Sequence, residues 1–240
     1  MTSSDNGSQN SMPPLPANSP AELLREIASL TQELHRRTRG TKLFRYAPYA
    51  KQREFHAAGA LHRERLLMAA NQVGKTLAGA CETAFHLTGR YPDWWTGRRW
   101  DRPVKGWAGS ESSELTRDGV QRMLIGPPKI ESDWRTGLIP ASDLKDWARQ
   151  GVADALDGVV VRHISGGVST LGFKSYDQGR TRWQAETLDF VWFDEEPPAD
   201  LYTEGLTRTN ATQGIVWLTF TPLLGMSEVI HAFDRECGPL

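Results

Sequence analysis

The chain has 240 residues, and its 28 Lys+Arg against 29 Asp+Glu give a formal net charge of −1. With 39% hydrophobic and 24% charged residues, the composition is that of a globular protein large enough to bury a sizeable core. The two cysteines, the absence of an export signal and the absence of an apolar run of about 18 residues argue against a disulfide scaffold, a secreted protein and a membrane-spanning protein.

The first forty residues differ in composition from the rest. Residues 1–20 are rich in Ser, Asn and Pro, which predicts a disordered N-terminal tail. Residues 21–41 are predicted to form an amphipathic helix and a linker, because Leu23, Ile27, Leu30 and Leu34 recur at helical spacing. We expect a single domain over residues 42–240.

That domain alternates short apolar runs with helical stretches, which predicts an α/β fold with a mostly parallel central sheet flanked by helices. In chain order, strands are expected at 65–70, 104–108, 159–163, 169–174, 188–193 and 215–220. Helices are expected at 75–87 and 114–124, and a short helix at 142–149.

A phosphate-binding loop is predicted between the first strand and the helix that follows it. The segment from Ala69 to Thr76 matches G-x-x-x-x-G-K-[ST] at its last three positions, with Ala69 in place of the first glycine. A tight turn that opens a helix directs backbone N–H groups and the positive helix end at an anion. Gly74 permits close backbone approach, Lys75 can reach the outer phosphates, and the Thr76 hydroxyl can bind Mg²⁺.

An acidic cluster follows a later apolar strand. Asp194, Glu195 and Glu196 come directly after the apolar run at 190–193, and residues 185–204 contain seven Asp/Glu and no Lys/Arg. In phosphoryl transfer, the first acid at such a strand end holds the metal and the second can orient and deprotonate the attacking water. The alternative is a solvated helix N-terminus, where acids favour the dipole. Together with the loop, the cluster predicts hydrolysis of a nucleoside triphosphate. The strand at 104–108, which lies between the two motifs in the chain, is interpreted as an extra strand inserted between the strands that carry them.

Two shorter segments complete the predicted site. Upstream of the loop, Gln52 can pair with an adenine edge and Tyr49 can stack on its face, although a surface Gln beside a buried Phe55 is the plain alternative. Downstream, Thr219 and Thr221 end the last apolar strand, which we expect to lie beside the Asp194 strand, where the two hydroxyls could sense a γ-phosphate. Threonine is also simply common in strands.

The four segments at 49–52, 71–76, 191–197 and 219–222, taken together, resemble the large terminase subunit of tailed bacteriophages. The resemblance covers about residues 42–233 and implies a RecA-like (ASCE-type) P-loop ATPase domain, part of the motor that pumps double-stranded DNA into a procapsid. The implied cofactors are ATP and Mg²⁺. Further implied partners are the small terminase subunit and the portal protein, in the cytoplasm of the bacterial host, with the chain either in a homo-oligomeric ring on the portal or a monomer alone. The resemblance implies no membrane partner.

The resemblance also implies a role for each site residue. Glu195, Lys75 and Asp194 would carry catalysis, and Thr76 and Asp194 would bind the metal. The nucleotide would contact Tyr49, Gln52, Asn71, Gln72, Val73, Gly74, Lys75, Thr76, Thr219 and Thr221. Some members carry an arginine finger inside the loop, whereas this chain has Asn71 there. The finger would then come from Arg117, the preferred candidate, or from Arg122, Arg180, Arg182 or a neighbouring subunit.

Complete members of that family continue into an RNase H-like nuclease domain, so we expect no DNA cleavage from these 240 residues. Two alternatives remain: a helicase-like ATPase stimulated by nucleic acid, and an ATP-binding assembly scaffold with little turnover. Two basic clusters are candidates for contact with DNA phosphates, although solvated loops explain them equally well. They are Arg36, Arg37, Arg39, Lys42 and Arg45, and Arg98, Arg99, Arg102 and Lys105.

Overall fold

The computed structural model describes residues 19–39, 42–184, 186–222 and 227–237. The chain divides into two units, Met1–Arg37 and Thr38–Leu240. Helix α1 (Pro20–Arg39) begins with a reciprocal cap, in which Ser19 and Glu22 each donate a backbone N–H to the other's side chain. The helix covers the predicted amphipathic stretch, whereas the predicted tail lies outside the described residues except at its last two positions.

A seven-stranded sheet forms the centre of the second unit. Its strands are β1 (Glu64–Met68), β2 (Lys105–Ser110), β3 (Leu144–Arg149), β4 (Leu156–Arg162), β5 (Val168–Ser175), β6 (Phe190–Asp194) and β7 (Ile215–Phe220). Their order in space is β1-β7-β6-β2-β5-β4-β3. The first five in that order run parallel, and β4 and β3 pair antiparallel at one edge. The sheet is therefore the predicted mostly parallel one of a RecA-like α/β domain.

Helices cover both faces of this sheet. They are α2 (Ala50–Ala58), α3 (Lys75–Thr88), α4 (Ser113–Leu115), α5 (Arg122–Ile125), α6 (Ala199–Thr209) and α7 (Glu228–Cys237). A π-helical segment, Thr116–Gln121, joins α4 to α5, so the helix predicted at 114–124 is continuous but widened in the middle. Helices α6 and α7 lie where the sequence predicts no element.

Two large apolar clusters hold the layers together. One lies between the sheet and α3 and includes Trp192 and Trp217, and the other lies under α6 and α7 and includes Trp183 and Phe193. All four of these rings are fully buried. Since burial of apolar surface stabilises a fold by roughly 25 cal/mol per Å², these large rings are major contributors to the core.

Helix α3 packs unusually close to the sheet. A Cβ placed on Gly79 would lie 2.5 Å from the Trp192 indole, so only glycine permits this approach. The C-terminus of α3 ends at Gly89, which adopts a left-handed conformation with φ of 70° and whose N–H bonds to the Phe85 carbonyl. The close packing brings the first turn of α3 against the end of β6.

Two predictions from the sequence are wrong. Residues 142–149 do not form a short helix, because Leu144–Arg149 pair antiparallel with β4, and this pairing overrides the helix propensity of the segment. The strand predicted at 104–108 does not separate the strands of the two motifs in space. It pairs with β5 and β6, and β7 is the strand inserted between β1 and β6.

Candidate active site

The predicted phosphate-binding loop is the turn that joins β1 to α3. Gly74 is the residue before the helix and adopts a left-handed conformation with φ of 81°, which a residue with a Cβ adopts only under strain. Gln72 is also left-handed, with φ of 61°. The Lys75 side chain is buried and its Nζ donates to the Ala70 carbonyl at 2.7 Å, so the lysine lies folded along its own loop.

The loop and the acidic strand end meet in space. Thr76 Oγ1 donates to Asp194 Oδ1 at 3.0 Å, although 118 positions separate the two residues in the sequence. Thr219 Oγ1 donates to the same oxygen at 2.8 Å, because Asp194 and Thr219 are register partners at the parallel ends of β6 and β7. The Trp192 Nε1–H donates to Thr219 Oγ1 at 2.7 Å and fixes that hydroxyl. The structure thus brings these predicted residues together.

Burial dominates the ionisation of Asp194. The carboxyl is only 6% exposed, and this desolvation raises its pKa to about 7, against hydrogen bonds from Thr219 and Thr76 that lower it. A buried carboxyl of this kind gains from a cation placed beside it. Among the described residues, no group of three or more His, Cys, Asp and Glu could hold a metal by itself. One carboxylate and one hydroxyl instead fit Mg²⁺, which takes few protein ligands and completes its shell with water and phosphate oxygens.

Glu195 lies at the turn directly after β6. Its backbone is left-handed, with φ of 71°, and its N–H donates to the Thr219 carbonyl at 2.9 Å. Partial burial raises the pKa of the Glu195 carboxyl, while the Thr221 N–H and the charge of Lys75 lower it. A carboxyl whose pKa moves towards neutrality is suited to accept a proton from water.

The predicted adenine-binding residues border an open cavity of about 790 Å³ beside the loop. Tyr49 is 72% exposed at the cavity mouth. Gln52 is buried instead, and both ends of its amide are engaged: Oε1 accepts from the Tyr49 N–H at 3.0 Å, and Nε2 donates to the Gly74 carbonyl at 3.0 Å. Gln52 therefore ties the start of α2 to the phosphate-binding loop, a contact that its adenine-binding role did not predict. Val73 also lines the cavity.

The two remaining predicted residues bond to each other. Thr221 Oγ1 donates to Asn71 Oδ1 at 2.7 Å, at the exposed rim of the loop. Strand β7 therefore reaches the site through two hydroxyls, since Thr219 contacts the buried acid and Thr221 contacts the loop. Asn71 stands at the loop position where the resemblance implies an arginine finger in some members, and it makes a neutral contact there.

A buried charged cluster lies beneath the site and was not predicted. Glu82 of α3 is fully buried and accepts hydrogen bonds from Arg65 of β1 at 2.5 Å and from His56 of α2 at 2.7 Å. Burial alone would raise the pKa of Glu82, but Arg65, His56 and His86 hold it well below its usual range. The cluster joins β1, α2 and α3. These elements carry the phosphate-binding loop and the cavity beside Tyr49 and Gln52, which we term the base cavity. Its residues form no local motif, so no sequence signal indicated it.

The arginine-finger candidates differ in their contacts. Arg117 pairs with the neighbouring Asp118 at 2.9 Å and donates to the Ala153 carbonyl, and Arg180 pairs with Glu204 at 2.9 Å. The preferred candidate, Arg117, thus already holds partners within its own chain.

The second basic cluster is engaged in structural contacts as well. Arg102 pairs with Asp189 at 2.7 Å, Arg98 and Arg102 stack on Trp100, and Arg99 lies over Tyr91. In the first basic cluster, the side chains of residues 33–39 lie outside the described part of the chain. None of the described helices is long and apolar enough to cross a bilayer.

Comparison with known proteins places these motifs in a family. The family described as "Terminase large subunit, T4likevirus-type, N-terminal" matches residues 66–238. The terminase large subunit of Salmonella phage P22 is 42% identical over 229 positions, covering 88% of this chain and 46% of that protein. The terminase large subunit of Enterobacteria phage LP7 is 24% identical over 233 positions, covering 88% and 47%. The chain spans about half the length of these curated relatives.

Two solved structures of the large terminase from a thermophilic bacteriophage are also similar. Crystal form 2 superposes with a TM-score of 0.46 at 9% identity, covering 72% of this chain and 39% of that one. The ADP complex, crystal form 3, superposes with a TM-score of 0.42 at 10% identity, covering 78% and 38%.

Proposed function

The chain belongs to the terminase large subunit family, and from that premise we propose that residues 42–240 form a Mg²⁺-dependent ATPase domain that drives double-stranded DNA into a phage procapsid. The observation that carries the proposal is the contact between the loop and the acids. Thr76 and Thr219 both donate to Asp194 at the mouth of the phosphate-binding loop, so the two halves of a triphosphate site are assembled in one chain.

Each residue then has a defined task in hydrolysis. The backbone N–H groups before α3 and the Lys75 ammonium would bind the outer phosphates. Thr76 and Asp194 would hold Mg²⁺, which would supply positive charge against the terminal phosphates. Glu195 orients a water molecule in line with the γ-phosphate and accepts its proton. Positioning and charge stabilisation are what this reaction requires of a protein.

The base cavity supports ATP as the substrate. Tyr49 supplies an aromatic face, and Gln52, once its amide turns from Tyr49 towards the cavity, supplies a donor and an acceptor for an adenine edge. Thr219 and Thr221 would report the presence of the γ-phosphate to β7. Asn71, Gln72, Val73 and Gly74 complete the loop around the phosphates.

The matched test compares two neighbouring acids. Glu195→Gln should retain ATP binding and lose turnover by about 100-fold or more, because general-base catalysis and water positioning are removed. Glu196→Gln removes one charge from the adjacent position and should keep turnover within about threefold of the parent. Lys75→Ala should lose ATP binding. Parent-level turnover in Glu195→Gln, measured as phosphate release, would show that this acid is not the base.

The motor role is tested by dependence on DNA and on assembly. In a homo-oligomeric ring on the portal, turnover should rise steeply with protein concentration and with duplex DNA, and the small terminase subunit should raise it further. Phosphate release is measured across these conditions. A chain that displaces a strand from a short forked duplex acts as a helicase, and one that binds ATP with flat, negligible turnover acts as an assembly scaffold. Either result contradicts the proposal. We also propose that the protein acts in the cytoplasm of the bacterial host.

A further inference from the structure

One buried hydroxyl contacts the backbone of the proposed general base, Glu195, from the turn after β5, which neither sequence motif includes. Tyr176 follows β5 directly and begins a short 3-10 turn, Tyr176–Gln178. Its side chain crosses the end of β2 and its OH donates to the Glu195 carbonyl at 2.7 Å. The carbonyls of Asp194 and Gly109 are the next acceptors, at 3.2 and 3.4 Å. The hydroxyl therefore meets the backbone at the residue where β6 ends.

The backbone of Glu195 needs such support. A residue with a Cβ pays a conformational cost in the left-handed region, and it stays there only when its surroundings hold it. Two hydrogen bonds hold the Glu195 backbone: its N–H donates to the Thr219 carbonyl on one side, and its carbonyl accepts from Tyr176 on the other. Since φ sets the direction of the Cα–Cβ bond, a change in this conformation would turn the carboxylate away from the loop.

The tyrosine is itself fixed in place. Its ring packs with Phe193 and Trp183, with centroids 6.1 and 6.0 Å away. Burial and the nearby carboxylates of Asp194 and Glu195 raise the pKa of the Tyr176 phenol well above its usual range. A phenol is protonated at neutral pH even at its ordinary pKa of about 10, so the hydroxyl can donate to the Glu195 carbonyl.

We propose that Tyr176 is a positioning residue for Glu195: its hydroxyl holds the left-handed backbone that aims the carboxylate at the attacking water. This inference rests on the proposed function, in which Glu195 is the base. Among the described residues, Tyr176 makes no hydrogen bond to the phosphate-binding loop, and its shortest hydrogen bond is to Glu195, with the Asp194 carbonyl farther away, so its effect should reach the reaction mainly through Glu195.

The test removes the hydroxyl and keeps the ring. Tyr176→Phe should lower kcat about tenfold, with KM for ATP and the affinity for ADP within about twofold of the parent, because binding of the nucleotide does not use Glu195. Tyr202→Phe is the matched control, since Tyr202 packs on the same Phe193 ring but bonds to Glu64 instead. It should leave kcat and KM unchanged. Equal losses in both variants, or a rise in KM with unchanged kcat in Tyr176→Phe, would overturn the proposal.

A double variant separates positioning from a general structural role. In a Glu195→Gln background, Tyr176→Phe should cause no further loss of turnover, because the group through which it acts is already gone. A further tenfold loss would mean that Tyr176 acts elsewhere and would overturn the proposal. If the parent hydrolyses ATP, Glu195→Gln is inactive and Tyr176→Phe is fully active, then only the role of Tyr176 fails.

A thermal measurement gives the same decision without turnover. Glu195→Gly relieves the left-handed strain and should raise the Tm of the parent by about 2 °C. In the Tyr176→Phe background the rise should disappear, because the backbone has already relaxed. The same rise in both backgrounds would overturn the positioning role. A parent without turnover would overturn the proposed function, while this thermal comparison still reports whether the hydroxyl holds the Glu195 backbone.

Discussion

At one end of the site, which we term the acid end, Thr76 and Thr219 both donate hydrogen bonds to the buried carboxyl of Asp194. At the other end, Tyr49 is exposed at the mouth of a cavity and Gln52 bridges the start of α2 and the loop. We term it the base end, because the adenine base of the nucleotide is proposed to bind there. The acid end depends on the register of two parallel strands, and the base end depends on one helix start. In the proposed function, the more precise geometry therefore lies where hydrolysis would take place, and the more adaptable surface lies where the adenine would bind.

The largest effect should follow from removing the charge at the acid end. Asp194→Asn preserves the size of the side chain and an acceptor for Thr76 and Thr219 but weakens the metal site, so turnover should fall by about 100-fold or more. Asp189→Asn is the matched control, because Asp189 precedes the same strand and pairs with Arg102. This control should lower Tm and keep kcat near that of the parent. Similar turnover in both variants, measured by phosphate release, would remove the distinction between the two ends.

The second prediction concerns the pH dependence of the acid end without nucleotide or Mg²⁺. The pKa of Asp194 is raised to about 7 in the folded chain from an ordinary value of 3.8, so between these pH values the folded state retains a proton that the unfolded state has lost. The contribution of Asp194 to stability is therefore complete below about pH 4 and is lost as pH rises through 7. Between these pH values, the free energy of unfolding falls by about 1.4 kcal/mol per pH unit.

Asp194→Asn isolates that contribution. Denaturant unfolding of the parent and of Asp194→Asn at pH 5, 6 and 7 should show the variant gaining stability relative to the parent as pH rises. Mg²⁺ with ATP should suppress the difference, because a bound cation favours the charged carboxyl. A constant difference in the free energy of unfolding over this range would contradict the prediction.

At the base end, Gln52→Ala should raise KM for ATP about tenfold and leave kcat within about twofold. The reason is that the amide joins the Tyr49 backbone to the loop at Gly74, and its loss loosens the nucleotide-binding surface without moving Glu195. Lys51→Ala provides the control, since Lys51 is exposed on the same helix and pairs only with Glu54 among the described contacts. A fall in kcat with unchanged KM would place Gln52 at the acid end in function.

The smallest effect should come from the exposed ring. Tyr49→Ala should raise KM for ATP by about threefold, because it removes one stacking face that is open to solvent. Tyr49→Phe retains that face and should keep the parent KM. Steady-state kinetics of the two variants sharpen the comparison. A rise in KM for Tyr49→Phe as large as for Tyr49→Ala would mean that the hydroxyl, not the ring, contributes to binding.

Much of the site could be read from local patterns. The strand, the GKT turn and the following helix are neighbours in the chain, and their periodicity indicates them without tertiary information. The same is true of the acids after the apolar strand β6. The position of β7 beside β6 was also expected, and it is confirmed by the pairing of Asp194 with Thr219. The helix predicted at 142–149 is wrong, because pairing with β4 holds its helix-forming residues in a strand.

Three features depended on the fold alone. Gln52 uses its amide within the chain, Glu82 of α3 bonds to side chains of β1 and α2, and Tyr176 reaches Glu195 from the turn after β5. No sequence motif indicates these three contacts. Each joins residues from different elements, and their separation in the sequence does not tell how far apart they lie in space. Strand order decides such contacts, and strand order is a property of the whole sheet.

The amino-acid sequence by itself determined the alternation of strands and helices, the phosphate-binding turn and the run of acids, since each depends on residues adjacent in the chain. The tertiary structure decided that β7 lies between β1 and β6, that two threonines share one oxygen of Asp194, and that a buried phenol donates to the carbonyl of Glu195. The physical reason is that hydrogen-bond geometry within a few ångströms is set by packing and register, which emerge only when distant segments share one core.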